Sequence, residues 1–101
     1  MGSKLSDAVL EVIHRDVLER FLRYVQIETA SDPLATPSEG PTTKGQWDLL
    51  NLLVAELRGL GVQEVELAPS GVVYARIPSN VSTNAPALGL LAHVDTSPDQ
   101  P

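Results

Sequence analysis

Apolar residues recur every four positions along the first quarter of the chain: Leu5, Val9, Ile13, Val17, Phe21 and Val25, with Leu18 and Leu22 widening the stripe. A helix turns once every 3.6 residues, so these side chains share one face. The pattern predicts an amphipathic helix, or two abutting ones, over residues 6–27, with Ser6 as N-cap. The stripe reads as a docking face. His14 lies beside it among charged neighbours and reads as a solvent-facing helix residue. Residues 28–42 carry Pro33, Pro37, Gly40 and Pro41 among several Ser, Thr and Asp, which predicts a loop. At about 15 residues it is long for a compact domain. It either lines a substrate cleft or makes a solvated excursion, and the sequence does not choose.

Thr43-x-x-Gln46 is a capping box, in which each side chain satisfies the other's free backbone N–H. Trp47, Leu50, Val54 and Leu57 follow on one face, with Leu49, Leu53 and Leu60 beside them. Gly61 supplies the left-handed residue that ends this second helix. Beyond it, apolar and polar residues alternate through Glu64-Val65-Glu66-Leu67, a strand exposed on one face. Pro69-Ser70-Gly71 is a turn, and residues 72–77 form the hairpin partner. A polar connection, 78–86, leads to the run Ala87-Leu88-Gly89-Leu90-Leu91-Ala92. Its lack of alternation predicts a third strand buried on both faces. There is no internal repeat. The order of elements predicts an α/β fold, two N-terminal helices followed by a mixed β-sheet.

Composition narrows the partners. With 101 residues there is room for one small domain, and an apolar content of 43% supports a packed core rather than disorder. Aromatics are few, so the core must be mostly Leu, Val and Ala. A net charge of −6 argues against a nucleic-acid backbone as partner. There is no cysteine, so any metal here must take His and carboxylate ligands. No run of 18 apolar residues suggests a membrane partner. Nor is a secretory signal visible at the start, so a cytoplasmic location is expected. Residues 1–6 fit a loose myristoylation pattern without a second anchor, and Asn80-Val81-Ser82 fits a glycosylation pattern. Both read as chance matches.

The candidate chemistry sits where the apolar run meets His93-Val94-Asp95. Positions i and i+2 of extended chain point to one side, so His93 and Asp95 can face one site together. That arrangement suits a metal-ligand histidine whose other ring nitrogen gives its proton to a carboxylate. On spacing alone, a strand-end histidine hydrogen-bonded to a nearby Asp is the plainer reading. Thr96 and Ser97 have no nearby base to make either a nucleophile. Asp99 reads as a turn residue after Pro98.

The longer string His93-Val94-Asp95-Thr96-Ser97-Pro98-Asp99 resembles the first metal-binding segment of the peptidase T-like tripeptide aminopeptidases, within the zinc aminoacylase/carboxypeptidase family. So do Thr43-Lys44-Gly45-Gln46-Trp47 and the early segment Leu18-Glu19-Arg20-Phe21-Leu22-Arg23-Tyr24-Val25. The three segments stand in the same order and cover nearly all of the chain from about Asp16 onward.

The resemblance implies a zinc-dependent aminopeptidase that releases the N-terminal residue from tripeptides at a dinuclear zinc site. His93 would bind one zinc, and Asp95 would be the catalytic-site carboxylate that orients the His93 ring. Small peptides would be the substrates, and there is room for a homo-oligomer of the complete protein. The family also uses a bridging Asp, an adjacent Glu pair, a further acidic ligand and a second His. None of these matches a residue here. Residues 1–101 are therefore expected to be the N-terminal, incomplete portion of a zinc-peptidase catalytic domain, inactive alone. Two alternatives remain open: another amide hydrolase of the family, such as a dipeptidase or deacylase, and a noncatalytic α/β fragment or interaction module.

Overall fold

A computed structural model describes residues 5–35 and 40–99. The myristoylation-like start falls mainly on residues 1–4, outside the described residues. Four elements follow in order: α1 (Asp7–Tyr24), α2 (Lys44–Gly59), β1 (Glu64–Leu67) and β2 (Val73–Arg76). The α/β arrangement expected from the sequence is present.

Helix α1 begins where Ser6 caps it, the Ser6 hydroxyl accepting from the Val9 N–H at 3.2 Å. It ends at Tyr24 rather than Ile27, because the last turn tightens. The N–H groups of Gln26 and Ile27 donate to the carbonyls of Arg23 and Tyr24, three residues back. No residue of α1 is buried. Its apolar stripe finds no partner among the described residues, and His14 is exposed as expected.

What ties α1 to α2 is polar. Glu56 of α2 accepts from Arg20 Nη1 at 2.8 Å, and also from Arg23 Nη1 and the Tyr24 hydroxyl. The Glu56 side chain is only 11% exposed. Burial raises the carboxyl's pKa. Hydrogen bonds from Tyr24 and Arg23, with the charges of Arg23 and Arg20, outweigh that and hold it below its ordinary 4.5. A lowered folded-state value contributes stability that is present above 4.5 and lost as pH falls through the folded value. Chemical denaturation of the wild type and of Glu56→Gln should therefore converge on acidification. A gap that stays constant from pH 7 to pH 3 would show that the carboxylate charge is not what holds α1.

The core is small. Leu49, Leu50 and Val54 of α2 are the buried apolar residues among those described, and α2 packs against the β1–β2 hairpin. Strands β1 and β2 pair antiparallel, Glu64 opposite Arg76 and Leu67 opposite Val73. The Gly71 N–H donates to the Ala68 carbonyl at 2.9 Å, closing the turn. Gly71 holds a positive φ of 85° with the Pro41 ring against it, a position that favours glycine twice over. At the other end of α2, Gly61 has φ 94°, the left-handed stop expected there. The Cα radius of gyration is 16.7 Å, against roughly 13 Å for a compact chain of about this length.

One expectation fails. Residues 87–92 form no strand, and the sheet of the described residues is two-stranded and antiparallel rather than mixed. Leu88, Leu90 and Leu91 are 86%, 88% and 103% exposed, so the segment is not buried on either face. A strand buried on both faces needs a pairing edge and a layer on each side. Among the described residues, the hairpin and α2 supply neither to this run. A parallel contact does form just beyond it, an isolated bridge between Ala30 and Thr96. No helix among the described residues is long and apolar enough to cross a membrane.

Candidate functional site

The site is assembled from two stretches far apart in sequence. The first is the start of the loop after α1. Gly45, in the first turn of α2, sits so close to the Glu28 carbonyl that a Cβ would lie 1.6 Å from its oxygen. This contact needs glycine for space, and it lays residues 28–31 along the N-terminus of α2. The capping box is present there. Gln46 Oε1 accepts from the Thr43 N–H at 3.0 Å, while the Thr43 hydroxyl donates to the Ala30 carbonyl at 3.0 Å. Thr29 and Gln46 are the two buried polar residues of this junction.

The second stretch is His93–Thr96. The Thr96 N–H donates to the Thr29 carbonyl at 3.1 Å, and the Ser31 N–H donates to the Thr96 carbonyl at 3.3 Å. These bonds form the Ala30–Thr96 bridge, and they bring Asp95 beside Ser31. His93 Nδ1 lies 3.1 Å from Asp95 Oδ1. The Ser31 hydroxyl donates to Asp95 Oδ2 at 2.6 Å. Both carboxylate oxygens are therefore engaged. The Ser31 hydrogen bond, then the His93 ring, hold the Asp95 carboxyl below the usual carboxylate range. His93 Nε2 makes no hydrogen bond among the described residues, and the side chain is 84% exposed.

His93 and Asp95 thus meet as their spacing predicts, although the strand expected to carry them does not form. Among the described residues, neither the Thr96 nor the Ser97 hydroxyl donates to a His, Asp or Glu side chain. The Ser97 hydroxyl accepts from the Asp99 N–H at 3.2 Å, so Asp99 is a turn residue, as read. Beyond the pair, a cavity of about 790 Å³ runs from His93, Asp95 and Ser31 to Arg20, Tyr24 and Glu56. The loop after α1 lines this cleft at Ser31 and again at Pro41 and Thr42. Residues 36–39 lie outside the described residues. Ser31 was not singled out from the sequence. Its partner is 64 residues away, and nothing in a Ser/Thr-rich loop distinguishes one hydroxyl from the next.

Comparison with known proteins gives a consistent result. No protein-family model matches the chain. Among curated proteins, it is 45% identical over 85 residues to peptidase T of Geobacillus thermodenitrificans, an alignment covering 84% of this chain and 20% of that protein. Peptidase T of Staphylococcus saprophyticus is 47% identical over 85 residues, with the same coverage. Peptidase T of Escherichia coli is 47% identical over 83 residues, or 82% of this chain and 20% of that protein. The chain belongs to the peptidase T family. It spans about 20% of the length of these peptidase T relatives.

Whether zinc suits these residues is a question of donors. One imidazole held by a carboxylate at its near nitrogen, with the far nitrogen free, fits one arm of a zinc site. A closed or catalytic zinc site takes about three or four protein ligands. Among the described residues, no three His, Cys, Asp or Glu side chains gather to hold a metal ion. The described residues therefore offer one imidazole with a carboxylate at its near nitrogen, not a complete metal centre.

Proposed function

We propose that this chain carries the His93 arm of the zinc site of a metallo-aminopeptidase that releases the N-terminal residue from tripeptides. The observation that supports it is the orientation of His93. Asp95 takes Nδ1 at 3.1 Å, and Nε2 makes no hydrogen bond among the described residues, on a side chain that lines the cleft. In this reading His93 Nε2 is a metal ligand, and Asp95 is the carboxylate that fixes the ring and keeps Nε2 basic. Zinc, when bound by a full ligand set, would polarise the peptide carbonyl and lower the pKa of a bound water. The cleft with Arg20, Tyr24 and Glu56 on its far wall would admit a small peptide. The proposed setting is the cytoplasm.

The donor count adds a restriction. Among the described residues too few ligands gather to activate water, so residues 1–101 alone should not hydrolyse tripeptides with or without added zinc. The complete polypeptide containing this sequence should release N-terminal residues from tripeptides. It should lose that activity to a chelator and regain it with zinc. Release that survives chelation would overturn the zinc reading. Turnover by residues 1–101 alone would overturn the assignment of this stretch to one arm of the site.

A further inference from the structure

We propose that Ser31 is a positioning residue of this site, holding the Asp95 carboxylate so that Asp95 in turn holds the His93 ring. The inference rests on the reading of His93 as a metal ligand. A carboxylate turns easily about its last side-chain torsion. The His93 contact fixes one oxygen only, and the Asp95 side chain is 43% exposed, so water competes for the other. The Ser31 hydroxyl fills that second position at 2.6 Å, the short separation of a hydrogen bond to a charged acceptor.

Ser31 is itself fixed from three directions. Its own N–H is bonded to the Thr96 carbonyl, and the Thr96 N–H to the Thr29 carbonyl. The carbonyl of Ala30, its chain neighbour, accepts the Thr43 hydroxyl at the N-terminus of α2. The hydroxyl that meets Asp95 is thereby mounted on the α2 scaffold. With both oxygens engaged, the carboxylate plane is set, and the His93 ring cannot swing with it. The Nδ1-protonated tautomer, the one that leaves Nε2 with its lone pair for a metal, is the form this geometry selects.

The test uses the complete polypeptide labelled with ¹⁵N-histidine and kept zinc-free, at a pH where the ring is neutral. Long-range proton–nitrogen correlations report the His93 tautomer, and competition with a chromophoric chelator reports zinc affinity. In Ser31→Ala the Nδ1-protonated fraction should fall, and zinc should bind about tenfold more weakly, the low end of the range for losing an orienting partner. Ser31→Thr keeps the hydroxyl and should restore both readouts, which a merely destabilised loop would not do. Unchanged tautomer and affinity in Ser31→Ala, with zinc stoichiometry or affinity still reduced by His93→Ala, would overturn the role of Ser31 and leave the ligand reading standing. Zinc stoichiometry and affinity left unchanged by His93→Ala would overturn the ligand reading, and the role of Ser31 with it.

Discussion

Replacing His93 with alanine in the complete polypeptide should remove nearly all tripeptide hydrolysis while leaving the fold intact. The side chain is 84% exposed and its hydrogen bond among the described residues is to Asp95, so its loss takes little from the core. What it removes is the proposed metal donor, and no three His, Cys, Asp or Glu side chains among the described residues gather to hold a metal without it. Asp95→Ala should be milder. It frees the ring and loosens the tautomer, weakening zinc by about 10–100-fold, as losses of orienting partners do. Zinc affinity and peptide turnover, measured side by side with a thermal melt, separate the two roles. Equal damage from both substitutions would show that Asp95 is itself a ligand. An active His93→Ala enzyme would remove His93 from the site altogether.

The second large effect is expected at Gly45, well away from the imidazole. Helix propensity alone favours alanine over glycine by about 0.8–1.0 kcal/mol within a helix. At Gly45 the added Cβ would lie 1.6 Å from the Glu28 carbonyl oxygen and 2.8 Å from its carbon. Both are backbone atoms, with no flexible end to swing aside. Overpacking of this kind costs about 1–3 kcal/mol or more, so sterics win over propensity. Gly45→Ala should destabilise the protein and push residues 28–31 off α2, with Ser31 carried away from Asp95. Gly59, in the last turn of the same helix, has nothing within 4 Å of its Cβ position. Gly59→Ala should be neutral or stabilising. Urea midpoints of the two variants on opposite sides of the wild type would bear this out, and a shift of the same sign in both would contradict the close approach.

Local signals in the sequence give α1, α2 and the hairpin nearly to the residue. Ser6, Thr43 with Gln46, Gly61 and Gly71 each act within a few positions of themselves, through caps and turn geometry that a linear pattern displays. The run 87–92 misleads because burial is a property of neighbours. Its composition calls for cover on both faces, and the described residues provide none. The His93–Asp95 pair was legible because two residues of extended chain suffice to bring the side chains together. Ser31 was not, because its place depends on a backbone bridge between Ala30 and Thr96 and on the space left by a missing Cβ at Gly45. The cleft likewise follows from how α1 is tethered through Glu56, and a tether across 32 to 36 residues leaves no local trace.

The span between Ser31 and Asp95 also sets an order of events during folding. Closing a free loop of 64 residues costs roughly 4 kcal/mol of chain entropy, more than the Ser31 hydroxyl and the two bridge bonds recover at about 1 kcal/mol each. Those contacts cannot nucleate anything. They become favourable only after α2 has captured Ala30 through Thr43, and after the hairpin has drawn Arg76 back along α2. The remaining slack then lies between Arg76 and Asp95. The imidazole is thus aimed last, once its foundation has set, and until then it does not point anywhere.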